Sequence, residues 1–189
     1  MHPFEFILTL VSFIYALALT HLLSRIGALI QARDRVRFSA LQALMMLNAG
    51  MQVFVSWLFG WDFRNVTAWD LTAISLSFLY AVSVYLLCAV AAPEFDDGEI
   101  DLEHYYWHNR RIFWGLFALF TTLALSSNFI ALKTPTPALF LQATLVTLPN
   151  FIPCLIGFAS PARWAQWVAG LGIFATTGYF LLTFAAVLR

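Results

Sequence analysis

Six separate stretches of this chain, at about 4–30, 40–63, 71–92, 112–132, 138–158 and 166–188, read as membrane crossings. A hydrocarbon core of roughly 30 Å needs about 20 mostly apolar residues, because a helix rises about 1.5 Å per residue. In that solvent every backbone polar group must be satisfied inside the segment. The expected fold is therefore all-α, a polytopic membrane helical bundle of six transmembrane helices. Composition agrees: 61% of the 189 residues are hydrophobic and 17% aromatic. A soluble domain holds roughly 45–50% apolar residues and has no interior for such an excess. The whole chain, 1–189, reads as a single integral membrane domain.

Breakers separate the crossings at Gln31–Arg37, Asp62–Asp70, Lys133–Pro137 and Ser160–Arg163, with a charged connection at 93–111. The start, Met1 to Glu5, has no lysine or arginine, so the first segment is expected to be retained rather than cleaved as a signal peptide. Lysine and arginine bias sets orientation. Arg33, Arg35, Arg37, Arg110, Arg111 and Arg163 lie on the odd connections, against Arg64, Lys133 and Arg189 on the other side. That bias predicts odd connections in the cytoplasm and both termini outside, in a multi-pass protein of the inner membrane. Trp57, Trp61 and Trp69, and Trp107, Trp114, Trp164 and Trp167, fall near segment boundaries, where interfacial anchors belong.

Charge is concentrated. Six of the ten acidic residues, Glu94, Asp96, Asp97, Glu99, Asp101 and Glu103, lie in one connection, followed by His104, His108, Arg110 and Arg111. Asp101 is placed to cap a helix beginning at Leu102, with Leu102, Tyr105, Tyr106, Ile112, Phe113 and Leu116 on one side. His104 and His108, four apart, share a helical face and with Asp97, Glu99 or Asp101 suggest a divalent metal site. The calcium-loop pattern fails, because Pro93 and Phe95 occupy its first ligand positions. Asp96-Asp97-Gly98 lacks the alanine-arginine and later aspartates of the CDP-alcohol phosphotransferases. The plainer expectation is an acidic cap that docks a basic partner surface. Net charge is zero with no basic run, so nucleic acid is not an expected partner. Cys88 and Cys154 sit inside apolar segments and read as small buried hydrophobes.

Polar residues inside the spans are the remaining candidates, since an ionisable group at a helix centre costs roughly 2.5–3.5 kcal/mol on insertion scales. His21 and Arg25 share a face of the first span, and Arg25 is near enough to the interface to snorkel. Met45, Asn48, Ala49, Gln52 and Ser56 form one face of the second. Thr121, Leu125 and Asn128 align on the fourth, and Ala165, Ala169, Gly172, Thr176 and Tyr179 on the sixth. Such stripes pack helices together or line a watery path. Pro149 and Pro153, flanking Asn150, are expected to break the fifth span. Leu41-Gln42-Ala43 recurs as Leu141-Gln142-Ala143, and Leu17-Ala18-Leu19 as Leu123-Ala124-Leu125, a weak sign of a 3+3 inverted repeat.

No nucleophile paired with a base and no P-loop, HExxH, GxSxG or dinucleotide fingerprint occurs. An enzyme is therefore not the expectation, nor is a cofactor beyond the metal named above. The sequence favours a homo-oligomeric channel or carrier for an ion or small solute, with a path lined by His21, Asn48, Gln52, Asn128 and Asn150. The alternative is an accessory or sensory subunit of a larger membrane complex, docked through the acidic connection.

Overall fold

The computed structural model describes residues 3–60, 63, 69–94, 98–131, 144–145 and 147–187. These residues are almost wholly helical: α1 (Pro3–Gln31), α2 (Ala40–Phe59), α3 (Leu71–Ala91), α4 (Leu102–Ala131), α5 (Phe151–Ala159) and α6 (Arg163–Val187). Each start has a local cause. Ser39 precedes α2, and its hydroxyl accepts from the Gln42 N–H at 3.5 Å. Asp70 accepts from the Ala73 N–H at 2.9 Å to open α3. Asp101 opens α4 as the sequence predicted, one carboxylate oxygen accepting from the N–H groups of Glu103 and His104 at 2.9 and 3.0 Å.

Four helical stretches are long and apolar enough to cross a membrane: Phe4–Gln31, Ala40–Phe59, Leu71–Ala91 and Arg163–Leu182. Helix α4 runs for 30 residues, but Glu103, His104, His108, Arg110 and Arg111 occupy its first turns. Within the fifth crossing, 138–143 and 146 lie outside the described residues. The described part includes a 3-10 turn, Leu148–Asn150, leading into the nine-residue α5. Pro149 falls in that turn and Pro153 in the first turn of α5, where a missing N–H breaks no established ladder.

Helix α3 packs against α1, α2 and α4; α4 packs on α5, α5 on α6, and α6 returns to α2. Helix α4 also reaches α6, through Tyr106 and Trp114 at Gln166. Two two-residue strands, β1 (Val36–Arg37) and β2 (Ile100–Asp101), pair in parallel and tie the α1–α2 connection to the α3–α4 connection.

The core is aromatic and dense, with Trp114, Tyr106, Phe117, Leu22 and Leu87 almost fully enclosed. The outside is apolar too: Phe6, Phe13, Leu17, Leu71, Leu155 and Leu182 are all more than 60% exposed. A continuous surface of this kind is what lipid, rather than water, solvates. Cys88 and Cys154 are free and buried. Trp114, read from sequence as an interfacial anchor, is instead completely buried, whereas Trp57 and Trp164 are exposed. On α4 the buried line runs Leu102, Tyr106, Phe113, Phe117, Phe120, and Ile112 faces outward.

Candidate functional site

The described residues 32–39, 92–94, 98–101 and 160–162 of the connections lie at one end of the bundle and bring charge together there. Arg37 pairs with Asp101 at 2.9 Å, and Arg163 with Glu103 at 3.3 Å. Glu103 is the hub. It accepts from the Ser39 hydroxyl at 2.8 Å and the Trp107 indole at 3.1 Å while facing Arg163. The Ser39 bond, then Trp107 and Arg163, hold the Glu103 carboxyl below the usual carboxylate range. The His104 N–H, with Arg37 and the Glu103 N–H, does the same for Asp101. Both acids are thus engaged inside the chain. Asp96 and Asp97 lie outside the described residues.

The same end closes two helix C-termini, whose last carbonyls have no partner within their own helix. Arg25 donates to the carbonyl of Ala92 at 2.8 Å, with Ala89 at 3.4 Å and the Glu94 carboxylate at 3.6 Å. Gln42 donates to Ala91 at 2.5 Å and Tyr105 to Val90 at 3.0 Å. Three helices therefore cap α3. Arg25, expected to snorkel, reaches these carbonyls at the charged end.

The end of α5 is treated in the same way. Arg110 donates to the carbonyls of Gly157, Phe158 and Ser160 at 3.1–3.3 Å. The Gln166 amide donates to Gly157 at 2.9 Å and also to Ser160, and its oxygen accepts from Tyr106 and Trp114 at 2.5 and 2.8 Å. Gln166 is 0% exposed and fully satisfied. The Trp114 ring lies so close to α5 that a Cβ at Gly157 would sit 2.2 Å from it. Sequence reasoning missed Gln42 and Gln166 and counted Arg110 only toward the charge of the connection and its bias. The available signal was an amide or guanidinium within the first turns of a helix that starts at the charged end.

The predicted intramembrane residues divide. The α2 face is buried as expected, and it meets α6: Asn48 donates to the Gly170 carbonyl at 3.0 Å and Gln52 to the Thr177 hydroxyl at 2.8 Å. Asn150 accepts from Thr176 at 2.7 Å, again on α6. The buried line of α6 runs through Gln166, Ala169, Ile173 and Thr177, while Tyr179 points outward, so the predicted α6 stripe is rotated. His21 lies apart from this seam, against Tyr85 of α3 with ring centroids 5.9 Å apart. His21 Nε2 and Asn48 Oδ1 are buried with no hydrogen-bond partner among the described residues. The Asn128 side chain lies outside what is described.

His104 and His108 stack with centroids 6.4 Å apart. They line an open recess of about 480 Å³ with Glu94, Glu99, Asp101 and Tyr105. Among the described residues, no three or more His, Cys, Asp or Glu side chains are gathered as a metal would require. Compared with known protein families, curated proteins and solved structures, the chain matches none.

Proposed function

We propose that the protein is a multi-pass membrane bundle acting as an accessory or sensory subunit of a larger membrane assembly, with the charged end as its docking face. One contrast supports this reading. The amide groups of Asn48, Gln52, Asn150 and Gln166 bond to neighbouring helices, whereas His104, His108 and Glu99 stand exposed around an open recess. Recesses of this size, open and lined by charge and imidazole, suit a basic side chain of a partner. The six-to-three arginine and lysine bias places this end in the cytoplasm, in the inner membrane.

The test is affinity isolation of tagged protein in mild detergent, with native mass spectrometry of what accompanies it. Replacing Glu94 and Glu99 by glutamine and His104 and His108 by alanine is expected to release the partner while leaving helix content unchanged. Retention of the same partner by that variant refutes this docking face. The homo-oligomeric channel or carrier keeps one supporting observation: buried His21 Nε2 and Asn48 Oδ1 lack hydrogen-bond partners among the described residues, as groups serving a transported ion or water would. On that reading Asn150→Leu abolishes flux through reconstituted vesicles, and unchanged flux removes Asn150 from the path.

A further inference from the structure

The recess at the charged end is lined by groups of two kinds. Glu94 enters it from just beyond α3, Glu99 and Asp101 from the connection into α4, and His104 and His108 from α4 itself. The two histidines are exposed, and their rings lie within 21° of parallel with centroids 6.4 Å apart. Both therefore stand on one side of the same opening, where a single incoming group meets them together.

The carboxylates differ in how far they are already neutralised. Asp101 pairs with Arg37 at 2.9 Å, and Glu94, largely exposed, with Arg25 at 3.6 Å. Glu99 has no ion pair among the described residues. Beside the recess, Glu103 and Arg163 face one another at 3.3 Å and cancel. Tyr105 also lines it, but burial pushes its hydroxyl up and the proton is donated to the Val90 carbonyl, so it adds no charge. Arg111, three residues beyond His108, is exposed and is not among the lining residues. The described lining residues and their ion-pair partners thus set three carboxylates against two guanidiniums, which leaves one net negative charge while both imidazoles are neutral. Two protons turn that into one net positive charge.

Histidine is the side chain whose charge changes between about pH 5 and 8. Carboxylates and guanidiniums ordinarily keep theirs over that range. We propose, resting on the docking reading above, that His104 and His108 gate the docking face by proton uptake. With neutral imidazoles the recess accepts a basic side chain of the partner; with imidazoliums it repels that side chain, and the partner leaves. The docking face then holds its partner at neutral pH and releases it when the compartment it faces turns acid.

The probe is tetra-arginine amide carrying a tetramethylrhodamine label, titrated into the full chain in phosphatidylcholine nanodiscs and followed by fluorescence anisotropy at pH 7.5 and 5.5. Expected is saturable binding at pH 7.5 that weakens about 10-fold at pH 5.5, from about 3-fold for each exposed charge gained. In His104→Gln/His108→Gln the two affinities should agree within about 2-fold, whatever their level, because glutamine stays polar but takes up no proton. Either single substitution should leave a change of about 3-fold. Glu94→Gln/Glu99→Gln should weaken binding at pH 7.5. Saturable, glutamate-dependent binding of equal strength at both pH values overturns the gate and leaves the docking face standing. So does a loss in acid that persists unchanged in the double histidine variant. No saturable binding at pH 7.5, or binding that the double glutamate variant does not weaken, overturns the docking reading and the gate with it.

Discussion

The two ends of this bundle satisfy their polar groups in opposite ways. At the charged end the bonds reach across the chain: Arg25 to Ala92, Gln42 to Ala91, Arg110 and Gln166 to the end of α5. At the opposite end, around a crevice lined by Tyr15, Ser56 and Tyr80, several stay within one turn, Thr9 to Glu5, Ser77 to Ala73, Ser126 to Thr122 and Ser127 to Leu123, while Ser56 and Tyr80 bond between α2 and α3. A side chain that caps another helix fixes where that helix stops and how it lies. A hydroxyl bonded four residues back satisfies itself and places no constraint on its neighbours. The first arrangement welds helices together, and the second leaves room between them, which is where the crevice lies.

This contrast can be broken by experiment. The largest effect is expected for Gly157→Ala, where the new Cβ collides with the buried Trp114 ring. A loss of about 3 kcal/mol is expected from such overpacking, read by thermal unfolding in detergent. Next comes Gln166→Leu, which removes the acceptor of the Tyr106 hydroxyl and the nearer acceptor of the Trp114 indole N–H, and leaves the Gly157 and Ser160 carbonyls to Arg110. Its cost should be about 2 kcal/mol, with increased hydrogen exchange at Gly157 to Ser160.

Glu103→Gln should cost less than about 1 kcal/mol, because its ion pair is partly solvated. That difference has a definite pH dependence. The native Glu103 carboxyl titrates below its ordinary 4.5. Its contribution is therefore complete above the unfolded value and disappears as pH falls through the native one. Wild type and variant should differ at neutral pH and converge in strong acid, measured as unfolding midpoints across that range. Smallest of all is Ser127→Ala at the crevice end, expected within about 0.5 kcal/mol of wild type. If it costs as much as Gln166→Leu, the two ends are not built differently.

Much of the architecture was legible in local sequence. The starts of α2 and α4 follow from Ser39 and Asp101, and burial of the α2 face from the spacing of Met45, Asn48, Ala49, Gln52 and Ser56. The candidate site was legible only in part. The acidic cluster announced itself by composition, but its engagement by Arg37, Ser39 and Arg163 joins residues more than 55 positions apart. Trp114 misled for the same reason. A tryptophan or arginine near a span boundary serves equally well at an interface or against another helix end, and periodicity cannot tell these apart.

The sequence by itself determined that this chain is helical, where most helices begin, and that its apolar surface exceeds what one bundle can bury. Those properties depend on residues within a turn or two, through rise, caps and hydropathy. Only the tertiary structure decided which helix ends are capped by which side chains, that α6 buries Gln166 and Thr177 while Tyr179 stays exposed, and that Tyr15, Ser56 and Tyr80 line one crevice. These depend on how helices rotate and stack against one another. A single long-range bond such as Tyr106 to Gln166 fixes that rotation, and no local window of sequence contains it.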